Sequence, residues 1–266
     1  MKKIFVPSLL VFFLCAFNTA FAWESSRGNA KIVALAETDT IYSDVQELEP
    51  EKSPFEEETV KISDPIEPVN RLFYHFNDKF YFYLLKPVSR VYGTVIPEQG
   101  RIYISNFFSN LTTPIRLANE LLQFKFNIAG NELKRFFINT TWGFLGFCDC
   151  ADACWGIKKT KDDFGLTLGY YGVSHGFYLV LPILGPSSLR DGTGTFVDYF
   201  FDPVYYYTTW TEYAAVEGEE ILNHTSLHVG EYEDMKKQAV DPYLFMRNAY
   251  IQYRKGLLKE IKGEKD

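Results

Sequence analysis

From residue 64 onward, apolar positions recur every three or four residues, and the rhythm breaks at proline and glycine. Val69, Leu72, Phe73, Phe76, Phe80 and Leu84 share one predicted helix face, with Asn70, Arg71, Asn77 and Asp78 opposite. Ser63-Asp64-Pro65 reads as the start of this helix, Ser or Asp as its cap and Pro in its first turn; Pro87 ends or kinks it. A second helical pattern covers 99–122, with Ile104, Phe107, Phe108, Leu111, Ile115, Ala118, Leu121 and Leu122 as its apolar set and a break at Pro114. A third spans 127–139 around Ile128, Leu133, Phe136 and Phe137, and 140–148 reads as a turn or short hydrophobic loop.

The middle of the chain is less periodic. Residues 162–170 predict a short helix. Residues 173–186, with β-branched and aromatic residues between Gly and Pro, predict an extended segment or hairpin. Helices follow from Ser187 to Tyr199, from Asp202-Pro203, over 208–230 as a mostly surface helix, and from Asp241-Pro242 to about Ile261. No fixed-period repeat and no internal linker divides 63–262, so one mainly α domain is expected, followed by a polar tail at 263–266.

The start of the chain has a different character. Lys2 and Lys3 precede an apolar run and the small-x-small pattern Ala20-Phe21-Ala22, which reads as a secretory signal peptide over 1–22. Cys15 follows Phe12-Phe13-Leu14 rather than small residues, so acylation there is not expected. Between Glu37 and Lys61 there are nine acidic and two basic residues, and Pro50 and Pro54 interrupt helix formation. Residues 23–62 therefore read as a flexible acidic spacer, with a weak helical pattern around 32–36.

Composition sharpens the picture in one respect. The net charge of −7 argues against a nucleic-acid-binding face. Aromatic residues reach 17%, more than a water-soluble domain of this size is expected to need, and such rings suit lipid or protein contact. Beyond the signal, no stretch of 18 or more apolar residues predicts a spanning helix.

Chemical motifs are sparse. No glycine-rich phosphate loop, G-x-S-x-G elbow or H-E-x-x-H is present, so no catalytic set and no cofactor is predicted. His224 and His228 share a helix face but lack further ligands, and no metal is assigned. His75 and His175 read as packed or locally bonded residues, and Asp149/Asp152 and Asp162/Asp163 as solvated charges. Cys148, Cys150 and Cys154 allow a local disulfide, free thiols or a metal site; Cys150 with Cys154 is the preferred pair, because their spacing can bring the Cβ atoms together.

One resemblance organises these fragments. Asp64-Pro65-Ile66-Glu67-Pro68-Val69-Asn70-Arg71 resembles the D-P-x-E-x-x-N-R signature of the MlaA/VacJ family. Ser105-Asn106-Phe107-Phe108-Ser109-Asn110-Leu111, Arg135-Phe136-Phe137-Ile138-Asn139-Thr140 and 164–173 follow in family order. Leu181-Pro182, Gly185-Pro186-Ser187, Leu189-Arg190-Asp191 and Asp241-Pro242-Tyr243 complete it. The resemblance implies a ring of interrupted amphipathic helices in the inner leaflet of the outer membrane, on its periplasmic face. It further implies a central channel passing phospholipid to a soluble periplasmic carrier, association with a trimeric porin and maintenance of lipid asymmetry. Because no nucleophile–base–acid set stands out in the sequence, no enzymatic activity is expected. A scaffold that binds porin or carrier without conducting lipid is the alternative. The acidic spacer, the cysteine cluster and the missing lipobox depart from the family pattern.

Within that frame, Phe73, Phe76, Phe80, Phe107, Phe108, Phe136 and Phe137 are expected to divide between core and membrane contact. Phe177, Leu179, Leu181 and Ile183 would share one face of an extended segment bordering the lipid path. Arg190 is the candidate phosphate contact, with an ion pair to Asp191 as the alternative.

Overall fold

The computed structural model describes residues 62–263. The expected signal peptide, Cys15 and the acidic spacer up to residue 61 lie outside the described residues, as do the last three residues of the tail.

Helix α1 (Glu67–Phe80) starts after Ile66 with no side-chain cap, and Pro68 lies in its first turn. Asp64 is not the expected cap. Its carboxylate accepts from Asn70 Nδ2 (2.8 Å), Tyr243 Oη (2.5 Å) and Arg247 Nη1 (3.1 Å). These include charge-assisted bonds, stronger than a bond to a helix amide. A π-helical turn, Tyr81–Leu85, then joins α1 to α2 (Lys86–Val95). Pro87 has no N–H to donate and its ring would crowd the Tyr83 carbonyl, so the helix widens there instead of ending.

Helix α3 (Glu98–Leu111) and α4 (Thr113–Leu122) meet at Thr112, with Pro114 in the first turn of α4. After α5 (Phe126–Thr141), the chain turns through Phe144, Leu145 and Gly146, all at positive φ. A Cβ on Gly146 would lie 2.4 Å from that of Asn110, so the turn needs glycine there. Asp149 caps α6 (Cys150–Trp155), and Asp163 caps α7 (Phe164–Tyr170).

Strands β1 (Tyr178–Leu181) and β2 (Gly185–Ser188) form an antiparallel hairpin, pairing Tyr178 with Ser188 and Leu181 with Gly185. The outer edge of β1 is met by α1. Asn70 donates to Tyr178 O and accepts from Val180 N, both at 2.9 Å. One heptad later, Asn77 donates to Leu181 O and accepts from Ile183 N at 2.9 and 2.7 Å. Two amides seven residues apart thus replace a third strand, because each side chain has a donor and an acceptor like a peptide group.

Ser188 caps α8 (Leu189–Asp198), and Asp202 caps the five-residue α9 (Pro203–Tyr207). A Thr209/Glu212 capping box opens α10 (Trp210–Leu227), followed by α11 (Glu231–Gln238) and α12 (Pro242–Lys262), which Asp241 caps. Helix α10 is more than the expected surface helix: it packs on both α2 and α3. Contacts run in a closed circuit, from α1 through α2, α10, α3, α4, α7, α12 and the hairpin back to α1. The tightest crossing is α7 on α8, where a Cβ on Gly194 would meet Gly165 N at 2.3 Å.

Candidate functional site

Burial is inverted. Among the described residues, nine apolar side chains are buried against 21 polar or charged ones, while 33 large apolar side chains are exposed. On α1 the polar face turns inward with Asn70, and Val69, Leu72 and Phe76 face out, as does Leu84 in the π-helical turn that follows. Tyr83, Tyr207 and Trp210 are 81, 89 and 81 % exposed. Each such side chain gains up to about 1.5–3 kcal/mol on full burial, so this exterior is built for apolar surroundings. No described helix is long and apolar enough to cross a membrane. The amphipathic helices therefore suit a position in the plane of an interface.

The interior is held by charge networks. Helix α4 turns Thr113, Arg116, Asn119 and Glu120 inward, with Gln123 just past its end, and α5 turns in Glu132, Arg135 and Asn139. These spacings of three and four residues are a signal in the sequence, a polar stripe at helical period, that following the apolar positions alone passes over. Arg116 Nε donates to Glu132 at 3.2 Å, and its other nitrogens donate to Thr112, Ser109 O and Thr113. Arg135 donates to Asp149 at 2.7 Å and to Ile157 O. A cleft lined by Asn106, Asn110, Arg116, Arg135 and Asn139 leaves about 10 Å³, space for one water at most. This side of the interior is packed rather than open.

Thr160 links two carboxyl groups. Its hydroxyl lies 2.6 Å from Glu120 and 2.8 Å from Glu132, and its N–H donates to Glu132 at 2.9 Å. A hydroxyl has one proton. When Thr160 donates it to Glu132, it can only accept from Glu120, which must then be the carboxylic acid. Burial pushes Glu120 up to about 7, and the charges of Glu132 and Asp162 push the same way against Thr160 and Arg116. Asp162, expected to be a solvated charge, is buried and accepts from Gln123 at 2.8 Å. Asp198, buried beside Asn119 and the Phe164 N–H, rises to about 6 because burial outweighs both bonds.

The second network is centred on Asp191. It accepts from Arg190 (2.9 Å), Tyr250 (2.7 Å) and Arg254 (2.8 and 3.1 Å). Burial opposes its ionisation, yet Arg254, Tyr250 and Arg190 hold the carboxyl below its usual range. Arg254 also forks onto Asp163 at 2.6 and 2.9 Å, so Asp163 too is paired rather than solvated. The Arg190 side chain is 5 % exposed, with its guanidinium on Asp191 and under Gly169. The structure thus contains the ion-pair alternative, and Arg190 is not presented to a phosphate.

The hairpin alternates as period two requires. Tyr178 and Val180 are buried, while Phe177, Leu179 and Leu181 are half-buried on the other face and Ile183 is exposed. Ile183 has φ +69°, a strained conformation for a β-branched residue, fixed by Asn77. Of the candidate rings, Phe76 and Phe137 are exposed, Phe108 is buried, and Phe73, Phe80, Phe107 and Phe136 are half-buried. The Cys150–Cys154 bond is not formed: both lie on α6 one turn apart, and Cys148, Cys150 and Cys154 are free thiols. His224 and His228 stack at 4.3 Å, and no group of three His, Cys, Asp or Glu among the described residues is placed to share a metal ion.

Known proteins resemble this chain in sequence and fold. The MlaA lipoprotein family matches residues 62–256. An E. coli K12 protein, the intermembrane phospholipid transport system lipoprotein MlaA, is 36% identical over 196 residues, covering 71% of this chain and 76% of the relative. An uncharacterised protein of Rickettsia conorii is 32% identical over 196 residues, covering 73% of this chain and 78% of its own. A chain solved in work on the structural basis for maintenance of bacterial outer membrane lipid asymmetry superposes with TM-score 0.66 at 33% identity, over 74% of this chain and 99% of that one. With the family match running from residue 62 to 256 and a relative 36% identical over 71% of its length, the chain belongs to the MlaA lipoprotein family.

Proposed function

We infer that this protein moves phospholipid between the bacterial outer membrane and a soluble periplasmic carrier, and so maintains the lipid asymmetry of that membrane. The observation that carries this reading is the inverted burial: a closed circuit of helices with charges inside and large apolar side chains outside. A lipid has the same two-sided chemistry, and its head group needs polar surroundings while its chains leave along apolar ones. The names of the E. coli relative and of the work on the solved neighbour point to the same process. In this reading the domain lies in the inner leaflet on the periplasmic face, beside a trimeric porin. No side chain is assigned a catalytic role.

The test uses the exported full chain in phosphatidylethanolamine/phosphatidylglycerol vesicles with isotope-labelled lipid and a purified soluble carrier. Transfer at least tenfold above protein-free vesicles is expected. Vesicle-bound protein that holds porin or carrier but gives no acceleration would establish the scaffold instead.

A further inference from the structure

A cavity of about 290 Å³ opens between α4, the segment leading to α7, and α12. That is close to the lower end of ligand pockets, about 300–1,000 Å³, and suits a head group rather than a whole two-chain lipid. Its wall carries four cations, Arg116, Lys159, Lys161 and Arg254, against two carboxylates, Asp162 and Asp163. The arginines are already matched, Arg116 by Glu132 and Arg254 by Asp163 and Asp191. Among the described residues, neither Lys159 nor Lys161 is in an ion pair. Lys161 lies over the Tyr253 ring at 5.6 Å. Ile115 and Leu257 supply apolar surface in the same cavity.

We propose that this cavity holds the phosphate of a phospholipid head group, with Lys159 and Lys161 as its contacts and Ile115, Tyr253 and Leu257 meeting the glycerol end. The site rests on the transport reading and specifies where the moving lipid is gripped. Lys159 and Lys161 face one cavity in no ion pair, and Asp162 in the same wall offsets one of them, so one positive charge is left that a monoanionic phosphate diester would balance. The surroundings of Lys159 disfavour its charge. Lys159 and Lys161 are exposed at the cavity mouth; partial desolvation of Lys159 lowers its proton affinity, and so do Arg116 and Arg135, against Glu132 and Asp149. An anion in the cavity would offset that effect.

Pulse acetylation of the full chain with acetic anhydride, mapped by peptide mass spectrometry, tests the site. The three conditions are dodecyl maltoside alone, dodecyl maltoside with phosphatidylglycerol, and dodecyl maltoside with inorganic phosphate. Phosphatidylglycerol should slow acetylation of Lys159 and Lys161 at least fivefold and leave Lys134, which lies outside the cavity, unchanged. Inorganic phosphate should slow it less than twofold. Equal labelling with and without the lipid would overturn the proposal, and equal protection by inorganic phosphate would make this a free-anion site. The double variant Lys159→Gln/Lys161→Gln, with an unchanged melting curve, should transfer labelled lipid at least fivefold more slowly. Unchanged transfer would also overturn the site. A wild-type chain that shows protection but no transfer would sink the transport reading and leave the site standing.

Discussion

Replacing Glu120 by Gln isolates the proton held between Glu120, Thr160 and Glu132. Glu120 is 0 % exposed and rises from 4.5 to about 7, with burial as the largest cause. At about 1.36 kcal/mol for each pH unit between the two values, ionising it in the fold costs about 3 kcal/mol more than in the unfolded chain. The folded value is the higher one. The stabilisation is therefore fully present below the unfolded value and lost as pH rises through about 7. Gln keeps a donor for the Thr160 oxygen and cannot ionise. At pH 8.5 the Glu120→Gln variant should be more stable by up to about 3 kcal/mol, or roughly 6–12 °C in Tm for a domain of this size. At pH 4.5 the two proteins should melt together. The assay is near-UV circular dichroism in detergent micelles across that range. Asp198 also titrates inside the window, at about 6, but it is common to both proteins and cancels in the difference. A variant that follows the wild-type pH profile throughout would refute the shared-proton arrangement. Glu132→Gln makes the contrast, because Arg116 would lose its carboxylate and stability should fall at every pH.

Other outcomes follow from the same contacts. Asn70→Ala leaves Tyr178 O and Val180 N unpaired and should cost about 2–4 kcal/mol in urea unfolding, more than Asn77→Ala, whose Ile183 partner is exposed. Gly194→Ala places a methyl 2.3 Å from Gly165 N and should cost at least about 1–3 kcal/mol, seen as a lower Tm. Iodoacetamide applied without reductant should modify Cys148, Cys150 and Cys154, with Cys150 slowest; an unmodified Cys150/Cys154 pair that reacts only after reduction would contradict the free thiols. Trp142 and Trp210, 71 and 81 % exposed, should be quenched by brominated phospholipid vesicles, and fluorescence unaffected by such lipid would place them away from the membrane.

Much of the local structure is legible in the chain itself. The three-and-four spacing, the prolines at 87 and 114, and the Asp-Pro starts at 202 and 241 locate helices because capping and backbone geometry are local effects. The period-two run from Phe177 likewise locates the hairpin. Which face points inward is not local. Amphipathicity separates Val69 and Phe76 from Asn70 and Asn77, but only the closed circuit decides that the asparagines hold β1 and the rings face out. The solvated-charge reading of Asp149, Asp162 and Asp163 failed for the same reason. Their partners Arg135, Gln123 and Arg254 lie 14, 39 and 91 residues away, and no spacing rule reaches that far. Arg190 was visible as a cation, but its proximity to Asp191 under Gly169 is set by the packing of α7 on α8. Sequence determined the elements and their two faces; the tertiary structure decided which face meets which solvent, because a charge is tolerated inside only where several elements bring its partners together.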